Sequence, residues 1–103
     1  MRDGLIPEGT TLLALALLSR GRMTAPRALV AYRTPEHGCC TAEVNLQRDV
    51  PFHYGTHWQM CDVGAMGDFR ERLERDHTYY VEKGVPLTDE SWIHTSERTL
   101  EEA

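Results

Sequence analysis

From Cys40 to Gln47 the sequence reads Cys-Thr-Ala-Glu-Val-Asn-Leu-Gln, apolar and polar in unbroken alternation. A period of two sends Cys40, Ala42, Val44 and Leu46 to one face of an extended strand. Upstream, Ala28 to Arg33 supplies a partner. The five residues between them, Thr34-Pro35-Glu36-His37-Gly38, contain the proline and glycine that hairpin loops favour. The spacing predicts a hairpin. Beyond Pro51, Thr56 to Val63 predicts a third strand, with Trp58 and Met60 on one face and His57, Gln59 and Cys61 on the other.

Other stretches carry helical signals. Leu12 to Leu18 is apolar throughout, preceded by the capping residues Thr10 and Thr11 and followed by Gly21, which predicts a short helix enclosed on all sides. Asp68, with Glu71 three residues on, reads as a capping box opening a longer helix. Phe69, Leu73 and Tyr80 form its inner face, and Gly84 and Pro86 end it. Its pairs Arg70/Glu74, Glu71/Arg75 and Arg72/Asp76 are spaced to stabilise a solvated side. Thr88 to Ile93 suggests a last short helix docking Trp92 and Ile93 on the body, and the polar residues 96–103 are expected to fray. Without repeats or linkers, residues 1–103 read as one small α+β domain. A small antiparallel sheet, a hairpin or three-stranded meander, is covered by an N-terminal helix and a longer C-terminal helix.

A competing parse makes Leu12 to Leu18, Thr24 to Tyr32 and Thr41 to Val50 three helices, the last a recognition helix. Over that half of the chain the pattern resembles a winged helix-turn-helix domain, which would imply a DNA-binding regulator. The alternation at 40–47 and the lack of a basic surface oppose it. Charge narrows the choice further: eleven Lys and Arg stand against sixteen Asp and Glu, a formal net charge of −5. The acidic excess lies wholly in residues 51–103, which disfavours phosphate backbones and suits a basic partner.

Three cysteines, Cys39, Cys40 and Cys61, make an odd number with no closed disulfide framework, which points to a reducing, cytoplasmic setting. The apolar run at 12–18 is too short for a membrane span, and its acidic lead, Asp3 and Glu8, does not suit a signal peptide. His37, Cys39, Cys40, His53, His57 and Cys61 are residue types that zinc prefers. Cys39, His53, His57 and Cys61 are the candidate ligand set, and zinc the only candidate cofactor. On a straight strand His53 and Cys61 would stand about 26 Å apart, so convergence requires a bend at Gly55.

No nucleophile elbow, phosphate loop or dinucleotide fingerprint is present, and Asp62 beside Cys61 disfavours a thiolate, so no enzymatic activity is expected. Large aromatic side chains remain as candidate anchors: Trp58, Tyr79 and Tyr80 are the expected partner-binding residues. The expected function is non-catalytic binding of a macromolecule, foremost a protein. An adaptor or inhibitor such as phages and other mobile elements carry would act this way, and self-association is a second form of it. A zinc-stabilised domain and a DNA-binding regulator are the alternatives.

Overall fold

The computed structural model describes residues 5–21, 26–46 and 52–95. The expected fraying at 96–103 and parts of the helical segments at 24–32 and 41–50 lie outside them. Five strands and one helix follow in the order β1 (Thr11–Leu18), β2 (Arg27–Arg33), β3 (Cys39–Asn45), β4 (Phe52–Gln59), α1 (Asp62–Glu82) and β5 (Trp92–Thr95). All pairings are antiparallel, in the spatial order β4-β3-β2-β1-β5. The first four strands form a meander. The helix then carries the chain from one edge of the sheet to the other, where β5 pairs with β1.

Several sequence expectations are corrected. The N-terminal helix is strand β1, and both of its faces are covered. Leu13, Ala14, Ala16 and Leu18 meet the helix, while Leu12, Leu15 and Leu17 join Leu5, Val30 and Val44 on the opposite face. A strand enclosed on both sides needs no polar positions, and a short apolar run shows no period that tells it from a buried helix. The extra residue in the pairing between Leu12 and Ala14 is a bulge, which lets Leu13 and Ala14 both turn toward the helix.

The expected longer C-terminal helix is also corrected, because α1 starts at Asp62 and a strand follows it. Its N-cap is Cys61, and Asp68 lies within the helix. The third strand runs earlier than expected, and the last short helix is the edge strand β5. The helical parse behind the DNA-binding alternative fails too, since residues 12–18, 27–33 and 39–45 are extended.

Residues 34–38 close the β2–β3 hairpin, with the Thr34 amide donating to the Gly38 carbonyl at 2.8 Å. Gly38 has φ +81°, and a Cβ there would sit 2.6 Å from the backbone oxygen of Gln59 on β4. The left-handed backbone and the neighbouring strand both demand glycine. Gly38→Ala is therefore expected to cost more than about 1 kcal/mol, read as a lowered urea midpoint; an unchanged midpoint would contradict this account of the hairpin.

Candidate functional site

The last strand is held by a clip at the end of β1. After α1, Gly84 turns the chain, and the Val85 carbonyl accepts a 2.6 Å bond from Arg20 Nη1. The Thr88 amide donates to the Ser19 carbonyl at 2.8 Å, and the Ser91 hydroxyl donates to the same oxygen at 3.0 Å. In return, the Ser19 amide donates to Ser91 Oγ at 2.9 Å. These bonds deliver residues 92–95 alongside Leu17 to Ala14, in the register Leu17↔Trp92, Ala16↔Ile93, Leu15↔His94.

One side of β5 is thereby paired. Its outer side meets no strand among the described residues. Trp92 and Ile93 are about half exposed, at 47% and 53%. The register puts Trp92 and His94 on the face away from the helix and Ile93 on the helix face. Each side chain borders a hollow. On the far face, Leu5, Leu12, Leu15, Leu17 and Leu46 with Trp92 and His94 line about 540 Å³. On the helix face, Leu18, Leu73, Leu87 and Ile93, with Arg20, Arg70, Glu74 and Asp76 beside them, line about 320 Å³.

The helix meets the sheet through a mixed seam. Ala65, Met66 and Phe69 supply its buried apolar contact, and three aspartates extend it. Asp62 receives Arg33 at 3.0 and 2.7 Å and the Cys39 thiol at 3.0 Å. Asp68 accepts from the Thr41 hydroxyl and lies 3.0 Å from His57 Nδ1. Asp76 bridges Arg20, at 2.6 Å, and Arg27, which also bonds Glu43. Arg72 donates to Thr41 at 3.0 Å. Of the three pairs expected on the solvated side, Glu71/Arg75 forms at 2.7 Å, while Arg72 and Asp76 turn inward to the sheet.

The Arg33 guanidinium, against the opposing effect of burial and with help from the Cys39 thiol, holds the Asp62 carboxyl below its usual value. Burial pushes Asp68 up, but the bonds from Thr41 and His57 outweigh it and leave this carboxyl low as well. A carboxylate with a depressed folded-state pKa stabilises the protein above its unfolded value, and that stabilisation is lost as pH falls through the folded value. The melting temperature is thus expected to fall below about pH 5. Asp62→Asn with Asp68→Asn should flatten that decline, and equal slopes in parent and variant would refute the assignment.

The candidate metal ligands are distributed rather than gathered. Cys39 is buried on the helix face and Cys40 on the far face. Burial and the bond to Asp62 push the Cys39 thiol up to about 12, so it is a protonated hydrogen-bond donor at neutral pH. Cys61 is exposed at the helix N-cap. The bend expected at Gly55 is a bulge with the opposite effect: two residues of β4 oppose Ala42, so His57 pairs with Thr41 on the helix face and His53 with Val44 on the far face. Among the described residues, no three His, Cys, Asp or Glu side chains are placed to hold a metal ion.

The expected aromatic anchors do not form one surface. Trp58, 60% exposed, stands on the far face of β4. Tyr79 is exposed on the helix beneath the Lys83 ammonium, 4.9 Å from its ring. Tyr80 is half-buried, with Arg20 4.1 Å above its ring and Tyr79 edge-on at 5.0 Å, so it belongs to the helix–sheet seam. Sequence reasoning missed the β5 edge. Its signal was the β-prone run Trp-Ile-His-Thr, too short to show a period. Among the described residues, no helix is long and apolar enough to cross a membrane. No protein-family model, curated protein or solved structure matches this chain.

Proposed function

We propose that this protein acts by binding rather than catalysis, taking an extended segment of a partner protein as an added strand along β5. The observation that carries this reading is the coincidence of an edge that is unpaired among the described residues with an apolar hollow on each of its faces. A bound strand gains main-chain hydrogen bonds from the edge, and its successive side chains alternate between the two faces. One set enters the leucine-lined hollow beside Trp92 and His94, the other the hollow beside Ile93. The clip at Ser19 holds the edge in place before binding, which reduces the ordering cost of association.

Edge strand β4 is the weaker candidate. Its bulge at Gly55 and Thr56 breaks the even ladder that an added strand requires. The test is amide hydrogen exchange with an end-blocked peptide of alternating valine and leucine. Protection is expected to rise at residues 92–95, and Trp92→Ala with Ile93→Asn is expected to abolish it while leaving the circular dichroism spectrum unchanged. Protection gained along β4 instead, or binding indifferent to the double variant, would overturn the proposal.

A further inference from the structure

We infer that the hollow between α1 and strands β2 to β4 binds a small aromatic phosphate, at a site separate from the β5 edge and independent of strand addition. Arg72, Arg75, Asp76 and Tyr79 recur along α1 at three- and four-residue intervals, which places them on one side of the helix. With Arg27 of β2 and Glu43 of β3 they line a hollow of about 410 Å³, and His57 of β4 is also in its wall. None of these residues comes from β1 or β5. Pockets of this size hold small organic ligands.

The charges in this wall are unevenly paired. Glu43 and Asp76 both bond Arg27, and Asp76 also bonds Arg20. Arg72 is left with less. Its side chain is 9% exposed, yet among the described residues its hydrogen bond goes to the neutral Thr41 hydroxyl at 3.0 Å, and Glu43 stands 3.8 Å away. That is beyond hydrogen-bond reach. Arg75 bonds Glu71, a pair exposed on the helix surface, where such pairs contribute little. A nearly buried guanidinium without a bonded carboxylate is costly, and an oxyanion entering the hollow relieves that cost. Arg72 and Arg75 lie within one helix turn, and guanidinium forks match the oxygens of a phosphate. Over the whole network Arg20, Arg27, Arg72 and Arg75 balance Glu43, Asp68, Glu71 and Asp76, with His57 in addition. The attraction is therefore local to Arg72 and Arg75 rather than a net field.

Two further features fit this ligand. Gly55, at the β4 bulge, has φ +61°, and a Cβ there would come within 2.9 Å of Arg72 Nη2. Glycine leaves the room that the guanidinium occupies. Tyr79 supplies an exposed ring, flanked by Tyr80 edge-on and by the Lys83 ammonium. Arg75 and Tyr79 are about 6 Å apart along the helix, so one small molecule can set its phosphate on the arginines and its ring against the tyrosine.

The test is calorimetry of the full chain with phenyl phosphate at low salt. Arg75→Gln is expected to weaken binding about tenfold and Glu71→Gln to tighten it several-fold. Both variants break the same surface pair, so opposite shifts do not arise from loss of that pair. Trp92→Ala with Ile93→Asn should leave the affinity unchanged, and benzyl alcohol and inorganic phosphate should each bind at least about tenfold more weakly. Absence of phenyl phosphate binding, shifts of the same sign in the two helix variants, or loss of binding in the β5 double variant would overturn the site. Benzyl alcohol binding as tightly as phenyl phosphate would overturn the phosphate assignment, and inorganic phosphate doing so would overturn the aromatic one.

Discussion

Asp76→Asn should lower the unfolding free energy by about 3–5 kcal/mol, a large share of what a domain of this size possesses. The substitution keeps the shape of the side chain and removes its charge. Arg20, whose side chain is 2% exposed, would then lose the carboxylate that neutralises it. Among the described residues its Nε has no hydrogen-bond partner to begin with. What remains is the Val85 carbonyl and the Tyr80 ring. Removing one member of a buried pair leaves an uncompensated charge, which costs more than the pair was worth. Arg27 fares better, since Glu43 remains within 3.0 Å. Arg20 also adjoins Ser19, the residue that clips β5, so exchange at residues 92–95 should accelerate in the variant. A urea midpoint close to the parent's would mean that the seam contributes little.

The same seam explains which parts of the fold the sequence made legible. The alternation that begins at Cys40 does mark a strand, β3 over Cys39–Asn45, although solvent is not its cause. Thr41 and Glu43 point into the seam beneath α1, where they meet Asp68, Arg72 and Arg27. A buried polar face and a wet face leave the same period-two trace. At 12–18 the reverse happened: apolar cover on both sides erased the period, and leucine and alanine then read as helix formers, a weak local preference that tertiary packing overrides. Arg72 and Asp76 fit the four-residue spacing of a surface pair as well as they fit the sheet, because spacing alone does not say which side of the helix faces inward.

The candidate site was the least legible part. His53 and His57 share a face on any straight strand, and one inserted residue at Gly55 separates them. Nothing in the composition announces that bulge. β5 is four residues long and depends on a clip from a segment some seventy positions earlier in the chain. Trp92 and Ile93 were legible as residues needing cover, yet as exposed members of an edge strand they offer cover to something else.

Phe69→Ala should cost a similar amount, about 3–5 kcal/mol, by an unrelated route. Phe69 is fully buried, in a cluster to which the strands contribute Ala14, Ala16 and Ala31 together with Leu13, Leu18 and Leu29. Truncation would leave a cavity in this cluster, and cost rises with the volume that fails to collapse. Leu13, Leu18, Leu29 and Met66 belong to the same cluster, with Leu73 packed against it, and Phe69→Met, which keeps most of the volume, should lose about half as much or less. Position 69 lies seven residues before Asp76, about 10 Å along the helix, and among the described residues the ion-pair partners of Asp76, Arg20 and Arg27, lie outside the apolar cluster of Phe69. The double variant Phe69→Ala, Asp76→Asn should therefore lose the sum of the single losses within about 0.5 kcal/mol. A clear shortfall from additivity would show that the ionic end of α1 is held in place by its apolar end, and that Arg20 and Asp76 do not dock independently.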